Sequence, residues 1–262
     1  MVREMYRLYR FLFARRAFYK MNWLIYRLAL RGLGVLNYEN EKISGEQRFL
    51  QSYFANRKSS TVLDVGGNTG EYARSIMEIE PSTELYSFEP HPVTFEKLKE
   101  IAETWGFRPF NFGCGSENTK RKLFDYADAD GSKHASIYLD VIKDIHNAAV
   151  VEHFVNIIKL DDFVKEHDLE QVDLLKIDTE GSELDVLRGF SEFIREGRVK
   201  AIQFEFNEMN IASRVFFKDF WGFLSQYKFF RMMPDGLVPI RAYSPLLCEI
   251  FAYQNIVALL KH

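Results

Sequence analysis

The segment Asp64-Val65-Gly66-Gly67-Asn68-Thr69-Gly70, set between an apolar β-like run and a helix-like run, constrains this chain more than any other stretch. A strand that ends in a glycine-rich turn and feeds a helix exposes backbone N–H groups and carries no Cβ over them, which permits close approach by a ligand. The surrounding pattern is that of a parallel α/β sheet. Strands are expected over 61–65, 84–88 and 108–112, with helices over 69–79 and 93–104, a βαβαβ run with short turns. Between 113 and 155 the periodicity weakens, and the segment reads as a β-excursion plus a long polar loop facing the substrate. Beyond it the reading is a strand over 172–177, a helix over 182–195, a strand over 201–206, a helix over 215–227 and terminal strands near 228–232 and 249–259. The total is about seven strands, and the last two, with no helix between them, form an antiparallel hairpin at one sheet edge.

Glu89 closes the second strand-like run, 19 positions after Gly70. A carboxylate there accepts hydrogen bonds from the vicinal hydroxyls of a ribose, which points to a nucleoside cofactor. The turn reads G-x-N-x-G and departs from the dinucleotide pattern G-x-G-x-x-G. Asp64 beside it would repel a pyrophosphate and would pair with the ammonium of a methionine moiety. S-adenosylmethionine therefore fits better than NAD.

The glycine segment is followed by Phe88-Glu89-Pro90-His91-Pro92-Val93-Thr94-Phe95, then Leu160-Asp161-Asp162-Phe163, then Leu174-Leu175-Lys176-Ile177-Asp178-Thr179-Glu180-Gly181. In order and spacing these blocks resemble the FkbM-type methyltransferases, from about residue 44 to the carboxyl end. The resemblance implies a class I, Rossmann-like methyltransferase domain that uses S-adenosylmethionine, with transfer usually to an oxygen. It does not name the acceptor, for which a hydroxyl of a sugar, glycan, glycolipid or related metabolite is the leading expectation. The cofactor is then expected against Asp64, Val65, Gly66, Gly67, Asn68, Gly70, Glu89 and Pro90, with Cys114 lining the adenine pocket.

Alkylation of an alcohol requires an aligned nucleophile and a group that removes its proton. Asp64, Glu89, Asp178 and Glu205 sit at or near the carboxyl ends of strands, where ligand crevices of open α/β sheets lie. Asp178 is assigned to orient or deprotonate the acceptor, with Glu180 beside it. Glu180 also reads as a helix-start carboxylate favoured by the macrodipole, and Lys176 as the ion-pair partner of a neighbouring carboxylate. Asp178 and Glu205 could instead hold a divalent cation such as Mg²⁺, but a metal-free site is favoured. His134 is a candidate general base in the polar loop, with His153 the other histidine near it, and His91 shapes the turn fixed by Pro90 and Pro92. The many C-terminal aromatics read mostly as core.

A net charge of −3 offers no general attraction to nucleic acid, and none is expected as a partner. Two cysteines, Cys114 and Cys248, make neither a disulfide framework nor a metal spacing, so a reducing cytoplasm is the default compartment. The charge is unevenly placed. Residues 1–31 hold seven arginines and Lys20 against Glu4 alone, a net +7, which leaves −10 on the rest. Basic and aromatic residues interleave there as in an amphipathic helix, with a change of face that predicts two helices or a break near Arg15. Neither a membrane-spanning segment nor a secretory signal fits. The arm, 1–43, is expected to cap the domain at 44–262, to join a homodimer or to contact a membrane peripherally. Two other readings stand beside the methyltransferase: an NAD-dependent oxidoreductase or epimerase, and a non-catalytic membrane-associated binding protein.

Overall fold

The computed structural model describes residues 1–126 and 150–261. The chain opens with α1 (Val2–Phe13); after a break at Ala14 and Arg15 and a 3-10 turn over Arg16–Phe18 comes α2 (Tyr19–Gly32). These helices stand off the rest: α1 has no buried residue and α2 buries only Leu30. Short α3 (Glu41–Ser44) and α4 (Glu46–Phe54) lead into the sheet. Asn40 starts α3 by accepting hydrogen bonds from the N–H groups of Lys42 and Ile43.

β1 (Thr61–Val65), β2 (Glu84–Phe88) and β3 (Arg108–Phe110) alternate with α5 (Glu71–Ile79) and α6 (Pro92–Trp105). Helical crossovers return each strand in the same direction, and β1 pairs parallel with β2, Thr61 beside Glu84. β4 (Gly113–Cys114), β5 (Thr119–Tyr126) and β6 (Val150–Ile158) form a separate sheet in the order β4-β6-β5. Then come α7 (Leu160–Glu166), β7 (Val172–Ile177), α8 (Glu183–Arg188), α9 (Ser191–Arg195) and β8 (Val199–Glu205). The chain ends with α10 (Met209–Ala212), α11 (Phe217–Phe223), β9 (Tyr227–Met233), β10 (Gly236–Ile240), α12 (Pro245–Cys248) and β11 (Asn255–Leu260). The main sheet runs β10-β9-β11-β8-β7-β1-β2-β3, with β11 antiparallel to both of its neighbours.

The α/β sheet expected from the sequence is present, with differences. It has eight strands, because β10 extends the edge by pairing antiparallel with β9. The edge hairpin is therefore β9 with β10, and β11 inserts between β8 and β9 instead of lying at the edge. The strand expected over 108–112 stops at Phe110, and Gly113–Cys114 joins the small sheet. The helix expected over 182–195 is split into α8 and α9. Gly189, at the split, lies so close to Gly115 that a Cβ on it would fall 1.9 Å from the Gly115 carbonyl oxygen. The helix expected over 215–227 shortens to α11, since Tyr227 already belongs to β9.

Alternate side chains load both faces of the sheet. Val62, Leu85 and Leu174 pack with Phe49, Ile76 and Leu98 from α4, α5 and α6. Leu63, Phe88 and Leu175 pack on the other face with Phe163, Leu184 and Phe193 from α7, α8 and α9. Full burial of each such side chain contributes about 1.5–3 kcal/mol, so both helical layers hold the strand ends in line. A polar contact adds to this. Asp161, almost wholly buried, accepts the N–H groups of Glu192 and Phe193 in the first turn of α9, each at 3.1 Å. Asp161→Ala strands both donors in the interior and is expected to destabilise the fold by about 1–3 kcal/mol, read as a lower urea midpoint at unchanged slope. A midpoint equal to that of the unaltered protein would show that the contact contributes nothing.

Candidate functional site

The carboxyl ends of β1, β2, β7 and β8 open into a cavity of about 960 Å³, at the upper end of the size usual for small-molecule sites. Its floor is the glycine turn. Gly66 has a φ of 82° and Asn68 a φ of 47°, and the N–H groups of Gly66 and Gly67 both donate to the Phe88 carbonyl at 2.9 Å. A Cβ on Gly66 would lie 1.8 Å from the Asp178 carbonyl oxygen, and one on Gly67 would lie 2.0 Å from Ser87 Oγ. Only glycine fits at either place. Val65, Gly66, Gly67, Asn68, Glu89, Pro90 and Cys114, the residues expected against the cofactor, all line the cavity. Gly70 does not. It caps α5 at a φ of 82° and packs on Leu98 and Ile101 behind the wall.

Glu89 ends β2 with its carboxylate turned to the floor. One oxygen accepts the Asn68 N–H at 2.9 Å and the other the His91 N–H at 2.8 Å. Burial pushes its pKa up to about 7, against the pull of those two donors. His91 serves the turn: it caps α6 through the Thr94 N–H, and its other ring nitrogen lies 3.4 Å from the buried Asp125.

Asp64 departs from its expected place. It is fully buried behind Gly67, is no part of the cavity wall, and so cannot pair with a ligand ammonium. One of its oxygens accepts the Ser87 hydroxyl at 2.8 Å, and the other faces Lys176 Nζ at 3.7 Å. The physical reason is its position within β1, where Asp64 pairs in register with Ser87 on one side and Lys176 on the other. Lys176 Nζ is also 3.2 Å from Asp178 and 4.9 Å from the centre of the Tyr72 ring. Burial alone would lower the lysine pKa, but Asp178, Asp64 and Glu46 hold it above its ordinary value. Burial raises that of Asp64. Lys176 is thus the ion-pair partner that its strand position indicated, shared between two carboxylates.

Asp178 and Glu180 line the cavity on the turn after β7. That turn is held from below by Glu183, which sequence reasoning missed. One Glu183 oxygen accepts the Thr179 N–H at 3.0 Å, the Thr179 hydroxyl at 3.1 Å and the Gly181 N–H at 3.1 Å. Its burial raises its pKa to about 7. The signal was the glutamate three positions after Glu180, since a side chain at that distance can reach back over the turn. Glu205, at the end of β8, also lines the cavity and accepts the Asn207 side-chain amide. Burial and the neighbouring Asp178 and Glu180 carboxylates raise its pKa well above the usual range. Among the described residues no group of three or more His, Cys, Asp or Glu is placed to hold a metal ion. His134 lies outside the described residues.

A further wall comes from the stretch where the arm passes into the domain. Tyr38, Glu39, Asn40, Glu41, Ser44 and Glu46 all line the cavity. Glu46 accepts from Gln203 at 2.7 Å, and Gln203 in turn accepts the Tyr72 hydroxyl at 2.6 Å. Counting Glu71, Glu117, Asp185 and Glu208, the described lining carries eleven carboxylates against Arg74, Arg121 and Lys176.

The sequence pattern of the Methyltransferase FkbM domain family matches residues 64–230, from β1 into β9. Methyltransferase 1 of Beauveria bassiana is 31% identical over 147 residues, which cover 51% of this chain and 59% of that protein. The 2-O-methyltransferase NoeI of Sinorhizobium fredii is 27% identical over 146 residues, covering 52% of this chain and 60% of NoeI. The chain thus matches about three-fifths of the length of these relatives. A TehB-like SAM-dependent methyltransferase from Corynebacterium glutamicum superposes with a TM-score of 0.44 at 11% identity, over 92% of this chain and 97% of that one.

Glu89 as the acceptor of ribose hydroxyls carries a pH signature. The hydroxyls donate to the ionised carboxylate, and in the free protein burial holds the Glu89 pKa up at about 7. Affinity for S-adenosylhomocysteine is therefore expected to rise about tenfold between roughly pH 6 and 8 in calorimetry, and to lose that rise in Glu89→Gln. An unchanged slope in the variant, or no slope in the unaltered protein, would remove Glu89 from the ribose.

Proposed function

The chain belongs to the FkbM methyltransferase family, and on that premise we propose that it transfers the methyl group of S-adenosylmethionine to a hydroxyl oxygen of a sugar, glycan, glycolipid or related metabolite. The observation that carries the reading is the sign of the charge around the cavity, eleven carboxylates to three basic side chains among the described residues. Opposite unit charges about 4 Å apart attract by about 4 kcal/mol at the effective dielectric of a protein surface, and like charges repel by as much. A sulfonium with an ammonium gains from such a field, whereas a pyrophosphate is opposed by it. The same field disfavours the NAD reading and favours an uncharged acceptor. The name of NoeI, a 2-O-methyltransferase, supports oxygen as the atom methylated.

The residues present fit the cofactor. Gly66 and Gly67 leave the floor bare of side chains, Glu89 meets the ribose, and Val65, Pro90 and Cys114 give the apolar side of the pocket. When bound, S-adenosylmethionine supplies an electrophilic methyl carbon. Asp178 accepts the hydrogen bond of the acceptor hydroxyl and takes its proton as the oxygen becomes an ether. Lys176, 3.2 Å away, fixes the direction of that carboxylate. Glu183 holds the turn that carries it. Glu180 and Glu205 flank the same opening, Glu205 held protonated by its burial and its acidic neighbours.

Asp178→Asn keeps the size of the side chain and removes its basicity. S-adenosylhomocysteine affinity should stay within about threefold, while turnover with hydroxyl acceptors, read as S-adenosylhomocysteine release across a panel of sugars and glycolipids, should fall by about 10²–10⁴. Normal turnover in the variant would take Asp178 out of the chemistry, and a methylated nitrogen or carbon in the product would overturn the choice of acceptor.

A further inference from the structure

We propose that residues 1–31 lie on an anionic lipid surface and tether the rest of the chain beside it. The two helices of this arm are apolar where nothing covers them: Leu8 is 59% exposed, Trp23 53%, Leu24 57% and Leu28 60%. At about 100° per residue, Arg3, Arg7 and Arg10 share one stripe of α1, while Met5, Leu8, Tyr9 and Leu12 occupy the opposite side. On α2, Lys20, Arg27 and Arg31 form the basic stripe and Met21, Ile25 and Leu28 lie off it. The two helices are tied into one unit, with the Tyr9 hydroxyl donating to Asn22 at 2.6 Å and the Asn22 amide to the Phe13 carbonyl at 3.0 Å.

Charge selects the occupant. A second copy would bring another +7 against the first, so self-association through the arm is opposed electrostatically. An anionic bilayer satisfies both halves of the surface, taking aromatics and leucines into the headgroup boundary and leaving arginines beside the phosphates. No described helix is long and apolar enough to cross a membrane, so the arm lies in the plane. The rest of the chain, at −10, is repelled from that surface and stays outward. The arm also abuts the site. Arg31 of α2 bonds Glu39 at 2.5 Å, and Tyr38, Glu39 and Asn40 form part of the cavity wall. The docking is independent of the reaction proposed above.

The test is cosedimentation of the full chain with vesicles of phosphatidylcholine alone and of phosphatidylcholine mixed with phosphatidylglycerol. Binding is expected on the mixed vesicles and should weaken by about 100-fold in the triple variant Arg3→Glu, Arg7→Glu, Arg10→Glu. The paired variant Ile25→Ser, Leu28→Ser, on the apolar side of α2, should weaken it as well. Thermal melting and S-adenosylhomocysteine affinity should not change in either variant, which separates loss of docking from loss of fold or of cofactor binding. No binding of the unaltered protein to mixed vesicles, or equal binding by the triple variant, would overturn the proposal. So would a dimer that dissociates in Ile25→Ser, Leu28→Ser without any vesicle binding, which would assign the arm to a second copy.

Discussion

The approach of β1 to β7 at their carboxyl ends governs everything built above them. The Asp178 N–H donates to the Val65 carbonyl at 2.9 Å, and the Asp178 carbonyl oxygen lies where a Cβ of Gly66 would be. Since the strands meet there without a side chain between them, the glycine turn and the Asp178 turn become two sides of one opening. Beneath them Lys176 bridges Asp64 and Asp178. Burying a lone charge costs several kcal/mol or more, roughly, and a cation shared between two carboxylates offsets much of that for all three. The network thus lets β1 carry a buried acid while Asp178, at the end of β7, faces the cavity.

Two turns of the site are organised in the same way. Glu89 gathers the N–H groups of Asn68 and His91, and Glu183 gathers those of Thr179 and Gly181. In each case one non-glycine residue of the clasped turn has a positive φ, 47° at Asn68 and 50° at Glu180. Such a conformation costs about 1–3 kcal/mol for a residue with a side chain, and charge-assisted bonds to a buried carboxylate are of the size needed to hold it. For both glutamates burial raises the pKa to about 7, because desolvation outweighs the donors. Glu89 therefore shapes its loop and lines the cavity at once, whereas Glu183, buried beneath the Asp178 turn and outside the cavity wall, acts on the shape of that turn alone.

The strands that carry the site were legible because they are buried on both faces and read as short apolar runs: β1, β2 and β7 fall where the pattern put them. The acids at the ends of β2, β7 and β8 were legible for the same reason, since topology alone brings strand ends together. Asp64 was misplaced because a sequence shows that a residue ends a strand but not on which side of the pleat its side chain emerges. The break at Gly189 was hidden because it depends on contact with Gly115, which is remote in sequence. Glu46, Tyr72 and Gln203 escaped notice for a similar reason: they form one hydrogen-bonded chain only after three distant segments are assembled. The wall formed by Tyr38 to Glu41 was read as the end of the arm, because its sequence says nothing of what that backbone faces.

The central claim is that the acidic opening above Gly66 and Gly67 takes an adenosyl cofactor with its ribose on Glu89. A crystal structure of the complex with S-adenosylhomocysteine tests this most directly. The account predicts both ribose hydroxyls within hydrogen-bonding distance of the Glu89 carboxylate, the thioether sulfur between the glycine turn and Asp178, and no pyrophosphate-bearing ligand able to replace it. Adenosine bound elsewhere, or a ribose turned away from Glu89, would contradict it.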